Sequence, residues 1–148
     1  MLEEREAMRA HRDTLKAAPV ADLTLVYGPP CSGKTTHVAE QAQRGDLIID
    51  YDAIAVALGS PHSHEHPRSL HPFILHAIDA LLERTRRSPE VKVWLIKCNP
   101  TQRDVAISTT QTRMATSKQE CKRRAVEAGR PSAWTQLIDD WFTAHPQH

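Results

Sequence analysis

Cysteine is scarce in this 148-residue chain, and Cys31, Cys98 and Cys121 are odd in number, widely spaced and without paired metal-ligand spacing. That pattern argues for free thiols in a reducing compartment and against a disulfide framework. Charge of either sign is not in excess: 19 Lys and Arg stand against 18 Asp and Glu, which gives no basis for strong nonspecific nucleic-acid binding but leaves room for a local basic patch. No apolar run reaches membrane-spanning length, and the charged amino-terminal stretch has no signal-peptide hydrophobic region, so a cytoplasmic protein without a membrane partner is expected. Internal repeats and low-complexity linkers are lacking. What remains is 40% apolar and 25% charged, ordinary for one globular domain that buries about two-thirds of its unfolded surface. Glycine is also sparse, with five in all: Gly45, Gly59 and Gly129 follow helical patterns, and the other two share one motif.

That motif is Gly28-Pro29-Pro30-Cys31-Ser32-Gly33-Lys34-Thr35, which fits G-x-x-x-x-G-K-[ST]. Ahead of it, Leu23 to Tyr27 reads as a short buried strand; behind it, Thr35 to Arg44 reads as a helix ending at Gly45. A helix N-terminus offers N–H groups that no helical carbonyl takes, and with the preceding loop they form a concave cradle for anionic oxygens. Lys34 is placed to reach the β- and γ-phosphates of a nucleoside triphosphate, Thr35 to coordinate Mg²⁺, and Thr36 to add an α-phosphate contact. ATP and Mg²⁺ are the expected cofactors.

The run Asp46-Leu47-Ile48-Ile49-Asp50-Tyr51-Asp52 predicts a second strand whose carboxyl end lies beside the phosphate loop in a parallel sheet. On extended backbone Asp50 and Asp52 share a face. Asp52 is the candidate general base and Asp50 the candidate metal-side group, acting on Mg²⁺ through water. Because Asp is a preferred N-cap, one or both could instead cap the helix expected over Ala53 to Leu58. His62, His64 and His66 then alternate in a loop spanning 60–70. Three such residues could ligate a metal, but zinc sites draw ligands from separated segments, and a polar loop over the substrate pocket is the preferred reading, with Arg68 available to an anionic substrate.

From Ser69 to Ser88 the apolar positions keep the i, i+3, i+4, i+7 rhythm of a core helix. Val91 to Cys98 reads as the third strand, followed by Asn99 and Arg103 near the crevice. Many phosphate-loop proteins carry an Asp at the end of such a strand; here the residues are Lys97-Cys98-Asn99. Thr112 to Thr116 is expected as a fourth strand. Ser117-Lys118-Gln119-Glu120 is a capping box that starts a helix ending at Gly129. Arg123, Arg124 and Arg130 make 117–131 a candidate lid, since arginines over transferred phosphates stabilise their charge, although Arg near a helix C-terminus also complements the macrodipole. A last helix from Ser132 aligns Trp134, Leu137, Ile138, Trp141 and Phe142, and residues 1–20 read as an appended, solvated helix.

On Gly28 to Thr36, the Asp50-Tyr51-Asp52 strand end, Asn99 after the third strand and the basic helix from Cys121 to Arg130, the chain resembles the small P-loop kinases of the AAA-type, polynucleotide-kinase-like group, some of them phage-encoded. The resemblance runs from about Leu23 to Phe142. It implies an α/β P-loop NTPase fold, a three-layer sandwich around a mostly parallel sheet of four or five strands, within a single domain over 1–148. It also implies that Asp52 is the base for a nucleic-acid 5′-hydroxyl and that Arg123, Arg124 or Arg130 holds the phosphates. Two positions depart from the group: Ala55 stands where such kinases often have an Arg, and the acid near Lys97 is absent. The expected function is therefore an ATP-dependent kinase acting on a nucleic-acid 5′ end or a nucleotide. A metabolite kinase and a nucleotide-dependent binding module with little turnover are the alternatives.

Overall fold

The computed structural model describes residues 2–6 and 22–146. Residues 2–6 are helical, and the remainder of the expected appended helix lies outside the described residues. Among the described residues, four parallel strands form one sheet in the order β2-β3-β1-β4: β1 Leu23–Tyr27, β2 Leu47–Asp50, β3 Val93–Lys97 and β4 Thr110–Arg113. The expected mostly parallel sheet is thus wholly parallel, with four strands. β1 pairs on both sides, Leu25 standing opposite Leu95 of β3 and Gln111 of β4. The connection leaving β1 travels past β3 to reach β2, whereas the one leaving β3 crosses β1 to reach β4. The two therefore diverge above neighbouring strands, where an open parallel sheet forms its crevice.

Strand alternation sorts the side chains into two layers. Leu23, Leu25, Val93, Leu95 and Ile49 face one way and are buried against Ala55, Ile74, Ile78, Leu82 and Ile107. These come from three helices, α2 (Tyr51–Ala57), α3 (His71–Thr85) and α4 (Gln102–Ile107). Val26 and Ile96 face the other way and meet Val38 of α1 (Lys34–Gln41), with Trp94 and Met114 alongside. A further pair, α5 (Lys118–Glu127) and α6 (Ala133–Ala144), closes around Cys121, Ala125 and Ile138, and Cys31 of the glycine loop packs against that cluster.

Four expectations shift, each for a local reason. α1 stops at Gln41 because Ala42 turns extended, and Asp46 then accepts hydrogen bonds from Gln43 N and Trp94 Nε1, both at 2.9 Å, in place of another helical turn. β4 lies at Thr110–Arg113 rather than 112–116 because its register is fixed by bonds to β1, Thr109 N donating to Leu23 O and Met114 N to Tyr27 O. Its side chains are too polar for burial to mark it. α4 was not foreseen, yet Thr101 and Asp104 cap it reciprocally and bury Ile107 beneath it. α2 begins at Tyr51, so Asp52 belongs to a helix and not to extended backbone. Leu95, wholly buried at the sheet centre, should cost about 2–5 kcal/mol of stability when replaced by Ala, read as a lower urea midpoint at unchanged denaturant slope.

Candidate functional site

The glycine loop leaves the carboxyl end of β1 and runs directly into α1, and its backbone shows why two glycines are needed. A Cβ on Gly28 would lie 2.7 Å from Ser32 Oγ and 2.9 Å from Met114 Cβ. Gly33 has φ +88°, in the left-handed region, and Cys31 adopts φ +63° despite its side chain. Gly33 caps α1 without any side-chain bond, and the first helical bond recorded at this end runs from His37 N to Gly33 O. The amides of Lys34, Thr35 and Thr36 precede it and are presented at the loop, beside exposed Thr35 and Thr36 side chains. No acidic residue occupies the first turn of α1. Ser32 Oγ is buried without a hydrogen-bond partner among the described residues. Lys34 Nζ donates to Gly28 O at 2.9 Å and Pro29 O at 2.8 Å, so the ammonium sits over the loop it belongs to. Together, presented amides, an inward lysine and a tight glycine turn form a concave, electropositive site that can accept anionic oxygens.

Around this loop the three arginines separate. Arg124 Nη1 stands 3.2 Å from the place a Gly33 Cβ would take and donates to Cys31 O at 3.5 Å, which sets its guanidinium over the loop. Glu120 holds it there, accepting from Arg124 Nε at 3.1 Å. Arg123, one residue earlier, points outward and pairs with Glu120 and Glu127 on the exposed side of α5. The expectation that it meets the phosphates gives way to this surface pairing, since neighbours on a helix point about 100° apart. Those hydrogen bonds, from Arg123 first and then Arg124, lower the Glu120 carboxyl to about 2. Arg130 lies elsewhere, its guanidinium over the Trp134 ring at 5.3 Å and hydrogen-bonded to His64 Nδ1.

The two acids also part company. Asp50 ends β2 and caps α2, accepting from Asp52 N at 3.2 Å. Burial, and after it the charge of Asp52, raises the Asp50 carboxyl above its ordinary value, while the Asp52 amide and the charges of Lys34 and His66 oppose that rise. Asp50 therefore lies close enough to the glycine loop to feel the charge of Lys34. Asp52, half exposed on the first turn of α2, accepts a 2.6 Å bond from His66 Nε2. On the other side of that ring, Ser60 Oγ lies 2.6 Å from Nδ1. The histidine loop is thus fastened at both ends of the crevice: His66 to Asp52, and His64 to Arg130 and the edge of Trp134. Among the described residues no group of three His, Cys, Asp or Glu is arranged to hold a metal. Arg68 lies in the short 3₁₀ turn Arg68–Leu70 that leads into α3.

At the end of β3, where a metal-side acid is often found, Lys97 pairs at 3.5 Å with Asp104, a carboxylate with no exposed surface that also accepts from Thr101 N. Arg103 reaches Asp79 at 2.7 Å and Asp104 at 3.7 Å, so its charge is spent within the fold and not in the crevice. Ser60 and Asp104 are polar groups that sequence reasoning did not single out, and the pairing of His66 with Asp52 was not foreseen. The capping box around Asp104 was legible; the bond from His66 to Asp52 joins two segments with no shared periodicity.

Comparison with protein-family models, with curated proteins and with solved structures finds no match.

Because Asp50 has a raised pKa in the fold, it binds its proton more tightly folded than unfolded, so its contribution to stability is highest in acid and falls as pH rises past its ordinary value of 3.8. Asp50→Asn keeps a capping oxygen and removes the buried charge. It should raise the urea midpoint at pH 7, with the difference shrinking as the pH is lowered toward 3.8.

Proposed function

We propose that this protein is a P-loop kinase that binds ATP with Mg²⁺ at Gly28–Thr36 and transfers the γ-phosphoryl group to a hydroxyl, that of a nucleic-acid 5′ end or a nucleotide. The observation that carries the reading is the uncapped N-terminus of α1 at the crevice end of a doubly paired strand, with Lys34 turned over the loop and Arg124 above it. When bound, ATP would supply the phosphoryl group and leave as ADP, and Mg²⁺ would offset part of the phosphate charge. Gly28, Pro29, Pro30, Cys31, Ser32 and Gly33 shape the cradle, the amides from Lys34 to Thr36 bind its oxygens, and Thr35 and Asp50 flank the metal, Asp50 through water. Lys34 and Arg124 stabilise the charge that spreads over the oxygens during transfer. Asp52 receives the proton of the attacking hydroxyl. Arg130, tied to the histidine loop, serves the acceptor side.

One feature favours a second reading, a nucleotide-dependent binding module or ATPase with little phosphotransfer: the end of β3 carries Lys97, and the nearby Asp104 is consumed by its cap and its ion pairs. A small-molecule acceptor is the other alternative to a nucleic acid.

Purified protein incubated with γ-labelled ATP, Mg²⁺ and a panel of 5′-hydroxyl oligonucleotides, nucleosides, nucleotides and sugars should label the oligonucleotides or nucleotides. Label confined to a sugar would select the metabolite kinase, and tight ATP binding without label anywhere would select the binding module. Lys34→Ala should weaken ATP binding roughly tenfold or more by calorimetry, the effect of losing one charge-assisted contact. Arg124→Ala should lower turnover in the same assay, whereas Arg123→Ala should leave it within about twofold, as expected for an exposed ion pair.

A further inference from the structure

The polar chain Ser60–His66–Asp52 lies outside the phosphate loop, and neither the core nor the helix caps require it. His66 leaves only 8% of its side chain exposed, whereas the Asp52 carboxylate it meets is 53% exposed. A half-exposed carboxylate on a first helical turn has several rotamers open to it, and one buried donor selects among them. The chemistry of the partners fixes the ring. An ionised carboxylate only accepts, so Nε2 carries the hydrogen toward Asp52 Oδ1 at 2.6 Å, while Nδ1 on the far side of the ring meets Ser60 Oγ at 2.6 Å. Ser60 is itself buried, and its oxygen faces the carbonyls of His62 and Glu65 at 3.2 and 3.3 Å, so the loop folds around the hydroxyl. Tyr51 packs its ring 5.9 Å from that of His66 and hydrogen-bonds to His71, which closes the remaining side.

This constellation resembles a hydrolytic triad only in composition. Ser60 is buried and surrounded by carbonyl oxygens, which repel a developing oxyanion, so it cannot act as a nucleophile on a substrate. The end of the chain that meets solvent is the carboxylate. We infer that His66 is a positioning residue: its Nε2–H occupies Asp52 Oδ1 and leaves Oδ2 aimed at the acceptor hydroxyl, with Ser60 holding the imidazole ring in place from the Nδ1 side. The inference rests on the phosphotransfer reading and deepens it by extending the site to a loop that begins eight residues beyond Asp52. His64, bound to Arg130 and Trp134, anchors the same loop on the opposite side of the crevice.

The test uses the full chain, with the acceptor that the labelling panel identifies. His66→Ala should lower kcat about tenfold or more while the ATP dissociation constant and the KM for ATP stay within twofold, because misplacing a reacting group by about an ångström suffices for such a loss. His66→Gln, whose amide N–H reaches a similar place to Nε2, should recover most of that loss, and Ser60→Ala should fall between the two. Equal kcat in the wild type and the Ala variant, equal losses in the Ala and Gln variants, or a parallel loss of ATP affinity each overturns the positioning role while leaving phosphotransfer standing. Absence of transfer by the wild-type chain to every acceptor overturns the phosphotransfer reading and this inference with it.

Discussion

A parallel strand hydrogen-bonded on both sides has no freedom to swing at its carboxyl end, and the whole crevice depends on β1 being that strand. Its ladder continues past Tyr27, where Gly28 N donates to Lys97 O at 3.3 Å and Met114 N to Tyr27 O at 2.9 Å. The turn that follows is therefore launched from a fixed point, between β3 on one side and β4 on the other. Close contact with Ser32 and Met114 excludes a side chain at Gly28, and a left-handed Gly33 turns the chain into α1. Contacts within the fold thereby set the loop's shape, which is the condition for electrostatic preorganisation. The proposed phosphate site draws on that rigidity.

The charged groups around the loop are divided by what already holds them. Arg123 is neutralised by two glutamates at the surface, and Lys97 and Arg103 by Asp104 and Asp79 in the interior. Lys34 rests on carbonyl dipoles and not on a carboxylate, and Arg124 has one exposed glutamate to hold it. An anion entering the crevice would meet these two cations with less competition than it would find at the others. The same sorting separates Asp50, half-buried and raised, from Asp52, exposed and held by the ring of His66. Two carboxylates one residue apart thus have environments suited to different work.

Much of this frame was legible in residues alone. The glycine motif located the turn between β1 and α1, the apolar runs located three strands, and the i, i+3, i+4, i+7 rhythm from Ser69 to Ser88 located the helix whose Ile74, Ile78 and Leu82 bury them. What escaped was set by contacts distant in sequence. β4 is polar, so its register depends on β1 and not on its own pattern. The helix start at Tyr51 was hidden because Asp50 and Asp52 satisfy a strand alternation and a cap equally well, and only the bond from Asp52 N to Asp50 decides between them. The three arginines look alike in sequence, yet helical phase sends Arg123 to solvent and Arg124 to the loop. His66 was legible as one of three alternating histidines, but its bond to Asp52 was not, since the partner lies on another element.

The strand order carries a consequence for how the chain acquires its fold. Contacts that flank β1 span 70 residues on the β3 side, as between Lys92 and Asp22, and 86 on the β4 side, as between Leu23 and Thr109. As the chain emerges from the ribosome, the apolar segment Leu23–Tyr27 must therefore wait for both partners, and until then it offers an unpaired, aggregation-prone edge. Parallel pairing over such distances is slow because loop closure precedes its reward. The strand that positions the glycine loop is made before both of the strands that pair with it and is secured only after them.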